Sequence, residues 1–179
     1  EGWHHQKLPA RMMNAILRFI HQYNSLGASK KHVAHHYDLP FEMYRKFLDG
    51  DLQYSCAYFV DPNDSLEAAQ TAKKRHLASK LLLKPGQKIL DIGCGWGGLA
   101  LSLARREQVE VTGITLSQSQ LDVARERAQS AGLQGRVRFE QQDYREIGGT
   151  FDRIISVGML EHVGAPNFGT FFHRVADRL

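Results

Sequence analysis

The chain has 179 residues, enough for one substantial core and an extension but not for two independent domains. Lys and Arg total 23 against 19 Asp and Glu, a formal net charge of +4, and these charges are dispersed, without the concentrated basic face interleaved with stacking aromatics that nucleic-acid binding needs. Cys56 and Cys94 are too far apart in sequence to suggest a disulfide framework or a zinc pair, no apolar run is long enough to span a bilayer, and the chain opens on Glu1-Gly2-Trp3 without a signal-peptide pattern, so a cytoplasmic location is expected.

In chain order, Met12, Ile16, Phe19, Ile20 and Tyr23 recur at intervals that line one face of a helix near Arg11 to Tyr23, with Gly27 as its stop. Pro40 is expected to open a short helix holding Phe41, Tyr44, Phe47 and Leu48. Asp51 to Asn63 reads as an ordered loop, since Tyr54, Tyr58 and Phe59 have apolar area to bury. Asp64-Ser65-Leu66-Glu67 has capping-box spacing and leads a helix to about Leu83, after which Lys84-Pro85-Gly86 turns the chain.

From there strand and helix alternate. Strands are expected at Lys88 to Ile92, Glu110 to Ile114, Val137 to Glu140 and Arg153 to Val157, and helices near Leu99 to Arg106 and Gln118 to Ala131. Ser117 with Gln120 has the spacing of a second capping box, and a last helix is expected to begin at Gly164 and run towards Leu179. Residues 1–63 thus form an N-terminal helical segment with a loop, and 64–179 an α/β domain of the doubly wound, mostly parallel kind.

Ligands of such sheets bind beyond the carboxyl ends of the strands, so the residues there carry the chemistry. Asp91 ends the first strand before Gly93, Cys94, Gly95, Trp96, Gly97 and Gly98, where small residues let backbone approach a ligand. Gly93 and Gly95 match the start of a dinucleotide fingerprint, but the pattern does not continue as one. It resembles the D-x-G-x-G loop of Rossmann-like methyltransferases, which implies S-adenosylmethionine. The methionine carboxylate is then expected near the loop amides and the helix start that follows. After the second strand no acid is available for a ribose, leaving Thr115 and Gln120 to donate and accept, while Asp143 and Tyr144 after the third suit an adenine amino group and ring face. After the fourth strand Glu161 is expected to enter the site, with His162 either beside it or a structural imidazole. The pairs His4-His5 and His35-His36 lack a matching third ligand, so no metal site is expected.

Taken together, His36-Tyr37-Asp38-Leu39, the segment Leu52 to Phe59 (LQYSCAYF), Leu90 to Gly98 (LDIGCGWGG), Gly113 to Ser117 (GITLS) and Glu161-His162-Val163-Gly164 resemble the cyclopropane fatty acid synthase and mycolic acid cyclopropane synthase family, from about Ser29 onward. The resemblance implies a class I methyltransferase fold, incomplete at its C-terminus here. It implies methylene transfer from S-adenosylmethionine to the cis double bond of an unsaturated phospholipid acyl chain at the membrane surface, by a peripherally associated protein. It assigns Cys56 and Glu161 to a bicarbonate ion acting as base, and cofactor contacts to Tyr54, Ser55, Asp91, Gly93, Thr115, Leu116, Gln120 and Tyr144. Tyr58 and Phe59, like Tyr54, offer aromatic faces to a carbocation on the acyl chain. The family completes its bicarbonate site with a histidine and a tyrosine further towards the C-terminus, so these 179 residues alone are expected to be inactive.

Other readings remain open at this level. Lys7, Arg11 and Arg18 accompany Met12, Met13, Leu17 and Phe19, which suits either a membrane-facing helix or packing. A small-molecule N-methyltransferase would use Glu161 and His162 on an amine, and a non-catalytic cofactor-binding domain would keep the fold alone. Homodimerisation is equally unspecified.

Overall fold

The structure is a computed structural model that describes residues 41–179, so the helix expected at Arg11 to Tyr23 and the paired histidines lie outside the described residues. Helix α1 (Phe41–Tyr44) is followed by a loop and α2 (Leu66–Leu81). Then come β1 (Lys88–Ile92), α3 (Gly98–Glu107), β2 (Glu110–Thr115), α4 (Gln118–Ser130), β3 (Val137–Gln141) and β4 (Arg153–Ser156). The chain ends in α5 (Leu160–Val163), a 3₁₀ turn (Ala165–Asn167) and α6 (Phe168–Ala176).

The described strands form one parallel sheet in the order β3-β2-β1-β4. Helices cover both faces, which is why the strands read as near-continuous apolar runs. Side chains alternate across β1: Ile89 joins Leu99, Leu103, Val111, Leu121 and Phe139 on one face, while Leu90 and Ile92 join Ile114, Ile147, Phe151 and Phe171 on the other. Residue Leu82 after α2 and Gln108 after α3 take left-handed conformations (φ 49° and 53°) as C-caps without glycine.

Three local expectations are corrected. The cap of α2 is Ser65, whose hydroxyl accepts from the Ala68 amide, because Asp64 has turned back to accept from the amides of Val60 and Asp61. The helix expected from Gly164 starts only at Phe168, since the chain first forms α5 and a 3₁₀ turn containing Pro166. Tyr54, Tyr58 and Phe59 are about half exposed rather than buried, at 54%, 47% and 49%. The loop is held instead by its backbone and by one edge or face of each tyrosine: Tyr54 meets Tyr44 edge-on at 5.4 Å and Tyr58 stacks on His76 at 4.8 Å.

Candidate functional site

The carboxyl ends of β1, β2, β3 and β4 meet at one edge of the sheet, and the loop 49–56 lies over it. The loop is anchored to the glycine turn by aromatic packing, with buried Tyr44 4.7 Å from Trp96 and Tyr54 6.3 Å from the same ring. Asp51 supplies the polar anchor, binding Lys74 of α2 and Arg127 of α4 through its carboxylate, while Arg127 also donates to the Trp96 carbonyl at 2.6 Å. Asp51→Ala is therefore expected to lower stability by about 1–2 kcal/mol, the value for a partly exposed network that leaves two cations unpaired. A fall in the urea midpoint at constant slope would report it, and Asp51→Asn should lose less.

The glycine turn is built for close approach on two sides. Gly97 has φ +81°, and a Cβ there would stand 2.5 Å from Phe139 Cζ. Gly93, at φ +79°, would place one 2.9 Å from Met159 Cγ. Gly95 differs, since at φ +55° a Cβ would meet nothing within 4 Å. Its surroundings are open, as a ligand cradle requires.

Several amides of the turn have partners within the fold. Those of Gly93 and Cys94 donate to the Ile114 carbonyl at 2.9 and 3.0 Å, and that of Gly97 to the Cys94 carbonyl at 3.0 Å. The start of α3 is covered by Asp51 and Gln53, which crowd Gly98. Three of the turn's amides, those of Gly93, Cys94 and Gly97, are thus engaged within the fold.

Asp91 is 2% exposed and its Oδ2 has no hydrogen-bond partner. Burial raises its pKa from 3.8 to about 7. A buried carboxylate without a partner is costly for the fold alone and suits a cationic group delivered by a ligand. Neighbouring Cys94 is buried, and desolvation pushes its thiol pKa well above the usual range.

At β2, Thr115 Oγ1 donates to Gln120 Oε1 at 2.9 Å and accepts from the Ser117 amide, while Ser117 Oγ caps α4 by accepting from the Gln120 amide. Gln120 therefore does not complete a reciprocal box, because its side chain has gone to Thr115. The Leu116 carbonyl accepts from Gln141. At β3, both Asp143 oxygens are clasped by Arg145, through Nε at 2.8 Å and an Nη at 2.7 Å, and the carboxylate is buried. That fork ties Asp143 to its own turn and shapes the loop that presents Tyr144. The Tyr144 ring lies edge-on to Phe171 at 5.1 Å, and burial raises its hydroxyl pKa.

The β4 turn brings distant parts of the chain together at Gly158, φ +67°. A Cβ there would meet Ser55 Cβ at 3.3 Å, Glu161 Oε1 at 3.9 Å and the Tyr54 carbonyl at 3.9 Å. Exposed Cys56 is the next residue along, and the amide of His162 donates to the Met159 carbonyl to close the turn. Sequence reasoning missed Trp96 as an anchor and missed Gln70 and Lys73, which hold this loop from α2. Nothing in an apolar periodicity marks them, because the buried residues of α2 are Ala69, Gln70 and Lys73. Among the described residues no group of His, Cys, Asp and Glu is placed to hold a metal ion, and no helix is long and apolar enough to cross a membrane.

A parallel sheet with a glycine turn after β1 and a site at its carboxyl edge defines a Rossmann-like class I methyltransferase fold. The chain belongs to the mycolic acid cyclopropane synthetase family of S-adenosylmethionine-dependent methyltransferases, whose sequence profile matches residues 24–179. Among its relatives, the cyclopropane-fatty-acyl-phospholipid synthase of Escherichia coli K12 is 50% identical over 143 residues, which is 80% of this chain and 36% of that protein. The crystal structure of mycolic acid cyclopropane synthase CmaA1 complexed with SAH and CTAB has a TM-score of 0.81 at 34% identity, covering 84% of this chain and 53% of that one. Coclaurine N-methyltransferase bound to N-methylheliamine and SAH has a TM-score of 0.75 at 27% identity, covering 80% and 41%. The chain thus spans about a third of the length of the phospholipid synthase and about half that of CmaA1.

Proposed function

We propose that the protein is a cyclopropane-fatty-acyl-phospholipid synthase, transferring a methylene from S-adenosylmethionine to a cis double bond of a phospholipid acyl chain. The observation that carries this reading is the convergence at Gly158 of Tyr54, Ser55 and Glu161. It joins the loop bearing Cys56 to the β4 turn, beside the open glycine cradle at Gly95. The cofactor fits the residues present: Asp91 has an unpartnered oxygen for its ammonium, and Tyr144 has a ring suited to meeting an adenine. The 50% identity to the Escherichia coli phospholipid synthase supports the lipid substrate.

Bound S-adenosylmethionine supplies an electrophilic methyl group, and the chain's own residues do the rest. Tyr54, Tyr58 and Phe59 are half-exposed aromatic residues of the loop, suited to excluding water and lowering the energy of positive charge on an acyl carbon. Cys56 and Glu161 would hold a bicarbonate ion as the base, with Glu161 orienting it by a hydrogen bond. Exposed Phe59 and Val60, at 49% and 73%, provide apolar area for a lipid surface, in keeping with a cytoplasmic protein that associates peripherally with membranes.

The test is mass analysis of monounsaturated phospholipid vesicles incubated with the full-length protein, S-adenosylmethionine and bicarbonate. A gain of one CH₂ per modified chain with loss of olefinic proton signals is expected. Glu161→Gln should cut that turnover by roughly 10²–10⁴-fold, the range for losing acid–base assistance, while S-adenosylhomocysteine binding stays within threefold, about 0.6 kcal/mol. The similarity to coclaurine N-methyltransferase favours one alternative, an amine acceptor oriented by Glu161 and His162. Unchanged lipids together with methylation in an amine panel would establish it instead, and binding without turnover in either assay would point to a non-catalytic domain.

A further inference from the structure

Helix α2 carries a lysine to which the chemistry above gives no task. Lys73 is 6% exposed, and its ammonium donates to Ser55 Oγ at 2.8 Å. One turn earlier Gln70 donates to the carbonyls of Gln53 and Ser55 at 3.2 and 3.0 Å. The two side chains, three residues apart on one face, hold residues 53–55 from the α2 side. Gln70 alone is enough to dock the backbone. A buried ammonium whose hydrogen-bond partner is a neutral hydroxyl is an expensive way to add one more tether, and the expense makes sense when a negative charge arrives to meet it.

The nearby acids are already committed. Asp51 is taken by Lys74 and Arg127, and Asp49 accepts from the amides of Asp51 and Gln53. Ser55, accepting from Lys73, must turn its own proton elsewhere, and its Cβ faces Gly158 in the cleft. A hydroxyl polarised in this way is a strengthened donor for an anion.

We propose that Lys73 is a positioning residue for the cofactor's carboxylate, acting through the Ser55 hydroxyl that it orients into the cleft. The inference rests on the cleft being an S-adenosylmethionine site. It pairs the two charges of the methionine moiety with two buried groups at the carboxyl ends of adjacent strands, Asp91 on β1 for the ammonium and Ser55 with Lys73 beside the β4 turn for the carboxylate.

Burial lowers the Lys73 pKa from 10.5 to about 8, against the opposing pull of Asp49, Asp51 and the Cys56 thiol and with Lys74 adding to the lowering; Glu161 faces Ser55 from the β4 turn. The charge is therefore present below about pH 8 and lost above it, so carboxylate affinity falls as pH rises through that value.

Calorimetric titration of the protein with S-adenosylhomocysteine and with 5′-methylthioadenosine, which keeps the nucleoside thioether but lacks the amino-acid end, tests this from pH 6.5 to 9.5. In Lys73→Met, S-adenosylhomocysteine should bind roughly tenfold more weakly, with methylthioadenosine unchanged within twofold and Lys73→Arg recovering part of the loss. The fall in affinity through about pH 8 should be shallower in Lys73→Met than in wild type, the ligand's own amino group titrating alike in both. Ser55→Ala, which removes a single oxygen and keeps Lys73, should show the same ligand-selective loss even if Lys73→Met fails to fold. Equal losses for both ligands, or parallel pH profiles, would overturn the proposal and leave Lys73 a loop tether. Binding of neither ligand by the wild-type protein would overturn the cofactor reading itself, and this proposal with it.

Discussion

Asp91→Asn is expected to stabilise the ligand-free protein at pH 8 while removing most of its affinity for S-adenosylhomocysteine. The carboxylate is 2% exposed at the end of β1, one oxygen lacks a partner, and desolvation lifts its pKa from 3.8 to about 7. Between those values the folded chain holds a proton that the unfolded chain has released. The group's contribution to stability is therefore present in full below about pH 4 and is lost as pH rises through about 7. At pH 8 the wild type buries an ionised, half-satisfied carboxylate, and the amide removes that cost, on the order of 1–3 kcal/mol.

The same substitution removes the partner for a ligand ammonium, so binding should weaken by roughly 10–100-fold, as for a lost charge-assisted hydrogen bond. Thermal unfolding from pH 4 to 9 checks the first half: the difference between variant and wild type should be small near pH 4 and reach its full size above about 7. Calorimetry at pH 8 checks the second. A variant less stable than wild type at pH 8 would mean that Asp91 is satisfied within the fold and not reserved for a ligand. Opposed effects on stability and binding are what a site held ready at the expense of the fold should show.

Much of this arrangement was legible in the sequence, and the parts that were not share a cause. The strands stood out because short apolar runs are cut by turn signals such as Lys84-Pro85-Gly86, and the observed β1 matches Lys88 to Ile92 while β2 and β3 run one residue further than expected. What failed was anything decided by a side chain choosing between two local partners. Asp64 and Ser65 both had residues at capping distance, and the choice fell to Ser65 once Asp64 had bonded the loop behind it. Gln120 had the spacing to cap α4 reciprocally but found Thr115 instead.

Within the site, topology and resemblance located the residues but not their hydrogen bonds. The Asp143–Arg145 fork spans two positions, which do not face each other in a regular helix and do so here only because the chain turns after β3. Lys73 and Gln70 escaped for a related reason. They are polar residues on the buried side of α2, so an apolar stripe cannot reveal them, and only the loop 53–55 lying against that side gives them meaning.

Gly97→Ala and Gly95→Ala should separate the two tasks of the glycine turn. Both positions have positive φ, +81° and +55°, so each substitution costs roughly 1–2 kcal/mol of backbone preference. At Gly97 the new methyl would also stand 2.5 Å from Phe139 Cζ and 3.1 Å from Ala124 Cβ, inside the packed layer between α3, α4 and the sheet. The same side of the Phe139 ring is also packed on Gly113, where a Cβ would stand 2.6 Å from Cδ1. Overpacking of this kind adds about 1–3 kcal/mol, giving a total of about 2–5 kcal/mol for Gly97→Ala. Urea unfolding should show a large drop in midpoint, and Phe139→Leu in the same chain should restore part of it by vacating the space. Gly95→Ala has open space around its methyl and should lose only the backbone share, yet its methyl would project into the volume assigned to the cofactor. Its loss of S-adenosylhomocysteine affinity should therefore exceed what its small change in stability suggests. Equal stability losses for the two variants would show that the crowding at Phe139 relaxes freely, and unchanged affinity in Gly95→Ala would place the ligand away from the turn.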